Sequence, residues 1–502
     1  MSQTPAAAAL SRRRFLQSSA LATGALVAAP AVHGATPAPA PTGAGADCTH
    51  FPANFMWGAA TSSYQIEGAA EIDGRKPSIW DTFARTPGKV HNGDTGDVAI
   101  DHYHRFREDV KLMADLGVKH YRFSIAWPRV IPDGRGALNA KGVDFYKRLL
   151  DALQEHGIEP AVTLYHWDLP QTLQDEYRGW EDRRIVDDFT AYAEAMGKAL
   201  GDRVPRWFTL NEVSTFAMIG YGVGYPGHHA PGVELPDRAA LHRGIFHAVL
   251  AHGRGVQALR ATCKADAQIG IAENYHAYAP IIETEEHIAA AHRAFALDEA
   301  NASIIMPILT GRYNPEWVEK MNGAAPQATD AELKDIGTPI DILGFNCYHG
   351  GYAQAADNAA GFDVVPTPRA FPRMNISWLT VTPEAIYWGI RQIADVAGQP
   401  DLPIVISENG CADAAEANSA GLVRDIDRIM YLRQYLGYVQ RAVREGYSIA
   451  GYFPWSLADN FEWAEGYAKR FGMVHVDFET QKRTPKLSYH WFQEVIRQRR
   501  VV

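Results

Sequence analysis

Cysteine is scarce, with 4 in 502 residues, at positions 48, 263, 347 and 411. None belongs to a CxxC pair or stands at metal-ligand spacing. That excludes a zinc knuckle and leaves either one disulfide or four separate thiols. Nor is the apolar run near the N-terminus, Ala20 to Ala31, a bilayer span, since it has ~12 residues where ~20 are needed. No basic run interrupts the body of a chain whose formal charge is −10, which excludes nucleic acid as the main partner. Beyond Phe51 there is no repeat, no compositional break and no low-complexity linker, so residues 51–502 form a single domain. Against these absences, 47% of residues are hydrophobic, enough for a large core. Twelve Trp and 22 Tyr supply flat amphipathic surfaces, which sugar pockets and ordinary cores both use.

The N-terminus is addressed rather than folded. Arg12-Arg13-Arg14-Phe15-Leu16, followed by the apolar run, resembles a twin-arginine export signal. Residues 1–35 are therefore expected to be a signal peptide and 36–50 a Pro/Ala/Gly linker. The mature chain would then be periplasmic or secreted, with no remaining tie to a membrane.

Eight short apolar runs alternate with longer segments of helical periodicity. The candidate strands are Phe55–Ala60, His120–Ser124, Pro160–Leu164, Trp207–Leu210, Ile269–Glu273, Ile342–Phe345, Ile404–Ser407 and Ile449–Phe453. They alternate little, as parallel strands buried on both faces do. Helices are predicted over Arg105–Leu116 and Lys141–His156, with Gly117 and Gly157 at their ends. Eight β–α units predict an α/β fold of the (β/α)8 TIM-barrel type, a single domain with long βα loops. Polar and aromatic residues follow most of the strands, where a barrel gathers its active site. Gln65 follows the first, His166-Trp167-Asp168 the third and Asn211-Glu212 the fourth. Asn346-Cys347-Tyr348 follow the sixth, Glu408-Asn409 the seventh, and Trp455 with Glu462-Trp463 the eighth.

Two strand-end carboxylates, Glu212 and Glu408, suit glycosidic cleavage. That reaction needs a proton for the leaving oxygen and a nucleophile or activated water for the anomeric carbon. The residues around them carry a family resemblance. FMWGAATSSYQIEG (within 51–68), SIWDTF (78–83), DHYHRFREDVKLM (101–113), YRFSIAWPRV (121–130), TLYHWDLP (163–170), TLNEV (209–213), ISENG (406–410), WSLADNFEW (455–463) and RFGMVHVDF (470–478) occur in order. From Phe51 to about Phe492 the chain resembles glycoside hydrolase family 1, the β-glucosidase family. The resemblance implies a retaining β-glucosidase acting on terminal β-D-glucosides by double displacement. Glu408 would be its nucleophile and Glu212 its acid/base. Asn211 would bond the sugar 2-hydroxyl, and Arg122, Asn346 and Tyr348 would support the nucleophile. Gln65, His166, Trp167, Glu462 and Trp463 would hold the other hydroxyls over Trp455 as a stacking floor. No cofactor or metal is implied, and the partner is a β-glycoside or oligosaccharide. A β-galactosidase or β-fucosidase, or a non-hydrolytic carbohydrate-binding relative, are the alternatives.

The chain departs from the family where Asn-Glu-Pro becomes Asn211-Glu212-Val213, where Cys347 stands between Asn346 and Tyr348, and at Cys411-Ala412, on a loop expected to face the aglycone. Gly222 to Gly227 spells GxGxxG but lacks the strand-to-helix setting of a dinucleotide site. His102, His104 and the His228-His229 pair lack ligand partners at metal spacing. Asn301 and Asn375 head glycosylation sequons that a bacterial export route makes irrelevant. Asp101, Glu108 and Asp109 are expected on a solvated helix face.

Overall fold

The structure, a computed structural model, describes residues 50–376 and 379–502. The export segment, the linker up to residue 49 with Cys48, and Ser377 of the second sequon lie outside the described residues. Eight strands form a closed parallel barrel in which each pairs with its neighbours in sequence, the first closing on the last. They are β1 (Met56–Ala60), β2 (His120–Ser124), β3 (Glu159–Tyr165), β4 (Arg206–Asn211), β5 (Gln268–Glu273), β6 (Ile342–Asn346), β7 (Ile404–Asn409) and β8 (Ile449–Pro454). Each runs within two residues of the span predicted from sequence. Apart from a few residues, mostly at their starts, the strands are buried on both faces, which explains their unalternating sequences.

The helices that wrap the barrel obey local rules. His102–Leu116 and Ala140–Glu155 occupy the two predicted stretches. Gly117 caps the first with φ +91° and donates its N–H to Met113 and Ala114 carbonyls. Gly157, φ +63°, comes after the cap residue His156 of the second. Glycine takes this left-handed conformation without the Cβ clash other residues incur. Among the described residues no helix is long and apolar enough to cross a membrane.

The barrel is irregular at two of its strand tips. The pairing of β4 with β5 shifts register between Phe208 and Asn211, and that of β7 shifts beyond Ile406 on both sides. Bulges of this kind re-aim side chains at strand ends. Both lie just below the strand ends that carry Asn211-Glu212 and Glu408.

One expectation is overturned. Asp101 and Glu108 do face outward, but Asp109 is buried. It pairs with His102 Nδ1 at 2.8 Å, and Arg483 Nε donates to it at 3.0 Å. The arginine comes from the last segment of the chain, a contact no local pattern reveals. His102 is thus a core residue, and His104 bonds Asp101. Among the described residues no His, Cys, Asp and Glu group could hold a metal. The start of the GxGxxG stretch lies in a short strand, Tyr221–Val223, paired with Val233–Leu235, and no helix opens from it. Asn301 is fully buried and bonded to the His276 backbone. Removing the carboxylate in Asp109→Ala strands Arg483 in the core, so a loss of about 3–5 kcal/mol is expected, read as a lower urea midpoint. An unchanged midpoint would show the pair to be dispensable.

Candidate active site

The C-terminal ends of the strands surround a cavity of about 610 Å³. Its inner wall holds His166, Trp167, Glu212, Asn346, Tyr348, Glu408, Trp455, Glu462 and Trp463. Gln65, Asn211 and Arg122 stand directly behind that wall, fully buried. All the residues singled out in the sequence therefore converge. The position of Gln65 is the least direct, because its amide donates to the Phe461 carbonyl at 2.8 Å and to Asn460 at 3.1 Å. It braces the segment carrying Glu462, 3.5 Å away.

A chain of hydrogen bonds organises the two principal carboxylates. Arg122 Nη1 donates to Glu408 Oε1 at 2.5 Å and Nη2 to Asn211 Oδ1 at 2.6 Å. Tyr348 donates its hydroxyl to Glu408 Oε2 at 2.9 Å. Asn346 Nδ2 donates to Glu212 Oε1 at 2.7 Å and to Asn211 Oδ1 at 3.0 Å. Glu212 and Glu408 line the same cavity, and the charge of Glu408 acts on Glu212, the pairing of two carboxyl groups that glycosidic chemistry uses. Because Asn211 Oδ1 accepts from Arg122 and Asn346, its Nδ2 must be the group that faces His166 Nε2 at 3.2 Å. That fixes His166 Nε2 as acceptor and puts the ring proton on Nδ1. Nδ1 is buried with no protein partner, a donor for a sugar hydroxyl.

The electrostatics separate the carboxyl groups. Burial, followed by the charge of Glu408, pushes Glu212 up to about 8. Burial also raises Glu408, but Arg122, Tyr348 and Asn346 all favour its charged form. Glu462 rises to about 8, first through burial and then through the charges of Glu408 and Glu212. Burial and Arg122 together press His166 well below the usual imidazole range, so it is neutral. Such a divided set of titrating groups is the signature of acid–base work.

Aromatic rings complete the wall. Trp167 lies 4.4 Å from Trp463, and His166 stacks on Trp455 at 5.8 Å. Glu212, Trp167 and Trp463 all have positive φ, at +50°, +75° and +51°. For non-glycine residues this costs roughly 1–2 kcal/mol each and persists only where neighbours impose it.

Some site residues escaped the sequence. Thr215 donates to Glu212 Oε2 at 2.8 Å, and its place one helical turn beyond Glu212 was the available signal. Ser407 donates to Asn346 at 2.6 Å. The outer cavity adds His228, His229, His276 and His349 with Ile219, Ile376 and Leu379. Apart from Ile219, on the helix Val213–Gly220, those come from loops whose spatial meeting leaves no periodic trace. Of the departures, Cys347 is tolerated as a buried thiol behind Tyr348, while Cys411 and Ala412 are buried and line no part of the cavity. Cys263, Cys347 and Cys411 are free thiols.

The sequence matches the glycosyl hydrolase family 1 profile over residues 48–501. The chain belongs to glycosyl hydrolase family 1. Among family relatives, beta-glucosidase A of Acetivibrio thermocellus is 45% identical over 451 residues, covering 89% of this chain and 98% of the relative. A bifunctional beta-D-glucosidase/beta-D-fucosidase of Bifidobacterium breve is 42% identical over 467 residues, covering 89% and 98%. Among solved structures, the family 1 β-glucosidase of Thermotoga maritima in complex with isofagomine lactam superposes with a TM-score of 0.80. It is 41% identical, covering 90% of this chain and 99% of that one.

A carboxyl group whose pKa is raised on folding binds a proton that the unfolded chain has released. Between its ordinary 4.5 and about 8, Glu462 therefore lowers stability as pH rises. Glu462→Gln is expected to raise Tm, with a larger gain at about pH 8.5 than at about pH 5.5 by calorimetry. Equal gains at both would contradict the shift.

Proposed function

We infer that this chain is a retaining β-glucosidase that hydrolyses terminal non-reducing β-D-glucosides. The observation that carries this conclusion is the asymmetry of the carboxyl pair. Glu408 is held by a guanidinium and a phenol, whereas Glu212 has only neutral partners and the opposing charge of Glu408. An ionised group beside a protonated one is what glycosyl transfer to the protein requires. Glu408 attacks the anomeric carbon while Glu212 protonates the departing oxygen. The glycosyl ester on Glu408 is then cleaved by water that Glu212 deprotonates, and the configuration is retained.

The flat faces of Trp455 and Trp463 suit the C–H face of a pyranose, and the Nδ1–H of His166 and the carboxyl of Glu462 can take its hydroxyls. Glu462 also offers no positive charge to receive a 6-phosphate. A fucosidase activity beside the glucosidase is the second reading, favoured by the Bifidobacterium breve relative, whose name includes both. A non-hydrolytic role is disfavoured because both carboxylates are present and paired as catalysis needs. We also propose that residues 1–35 direct export and that the enzyme works outside the cytoplasm. The paired arginines before Phe15-Leu16 support this, and the N-terminal mass of exported protein tests it.

Glu408→Ala is expected to abolish hydrolysis of nitrophenyl β-glucoside, and substantial residual turnover would exclude the nucleophile role. The same assay with galactoside and fucoside ranks the sugars, glucoside first. The pH profile has a definite sign. Activity needs Glu212 protonated and Glu408 ionised, so kcat/KM falls above about pH 8 as the acid is lost. It also falls on the acid side at a pH above the ordinary carboxylate value, because Glu408 is raised. A profile still rising beyond pH 9 or so would remove Glu212 from the acid role.

A further inference from the structure

Glu212 sits in a left-handed turn between β4 and the helix Val213–Gly220. Strand β5 grips this turn from one side. The Glu212 N–H donates to the Ala272 carbonyl at 2.9 Å. The next residue of β5, Glu273, is buried and accepts the two amides that follow Glu212, Val213 N–H at 2.7 Å and Ser214 N–H at 3.2 Å. Ser214 Oγ donates to the same carboxylate at 2.5 Å. Position 213 is where the family usually has proline, which has no N–H to give. Proline is otherwise welcome at the first position of a helix, so the valine is not required by helix geometry.

We propose that Glu273 is a positioning residue for the acid/base, its carboxylate fixing the turn at Glu212 through an amide that exists only because residue 213 is not proline. Val213 and Glu273 then act as a pair. A buried carboxylate without donors is costly, and its partner amides belong to the turn whose strain must be held. Burial raises Glu273 to about 7, and the donated hydrogen bonds from Ser214 and Val213 act against that rise. Glu273 touches no reacting atom, and its effect passes through the aim of the Glu212 carboxyl group.

The inference rests on the assignment of Glu212 as the acid, and leaving-group dependence tests it. Dinitrophenolate leaves without a proton, whereas the glucose unit released from cellobiose needs one. The kcat/KM of both substrates is to be measured for wild type, Glu273→Leu, Glu273→Gln and Val213→Pro, with circular dichroism and Tm as fold checks. Glu273→Leu and Val213→Pro are expected to lose about tenfold more on cellobiose than on dinitrophenyl β-glucoside, part of the contribution of a well-placed acid. Glu273→Gln, isosteric but with one accepting oxygen, falls between them and wild type. Equal losses on the two substrates, or no loss, in either Glu273→Leu or Val213→Pro overturn the proposal. If Glu273→Leu does not fold, Glu273→Gln takes its place under the same criterion. Failure of wild type on both substrates would instead sink the glucosidase assignment itself.

Discussion

The Arg122 guanidinium, buried at the mouth of the barrel, binds the site into one unit. It carries a positive charge where water is excluded, so it demands acceptors, and residues from two different strands supply them, the Ser407 carbonyl of β7 among them. Glu408 on β7 takes one amino group and Asn211 on β4 the other. From Asn211 the order passes to His166, whose tautomer it sets, and to Asn346, which turns toward Glu212. Removing that charge would leave Glu408 buried without its cation and Asn211 free to turn. A buried ion pair of this kind does more to specify one arrangement than to stabilise the fold.

Much of this was legible in the sequence for a simple physical reason. Parallel strands inside a barrel are apolar on both faces, and eight such runs separated by helical segments allow few architectures. The ends of the strands were legible too, because polar and aromatic residues have no packing reason to cluster there. Glu212, Glu408, Tyr348 and Trp455 announce themselves by standing just after a run of Ile, Val or Phe.

What escaped is equally physical. Asp109 reads as the polar face of a helix until Arg483, distant in sequence, arrives to neutralise it. The His228-His229 pair, His276 and His349 lie on three separate loops, and nothing local says that they meet. That the Gln65 amide also engages the backbone of the segment carrying Glu462 is likewise invisible locally. In each case the deciding partner is supplied by tertiary structure, while residue type and spacing stay the same.

The register shifts on β4 and β7 have a consequence for how such a protein can change. Below them β4 keeps continuous pairing with β3, and β5 with β6, where a one-residue slip would turn every side chain to the wrong face. At the shifts the pairing of β4 with β5, and of β7 with both neighbours, changes register, so the tip residues are aimed apart from the register below. The strands are thus divided into a conservative base and a permissive tip. A library randomised beyond Leu210 and Ser407 would search new chemistry while the paired strands beneath are left in place.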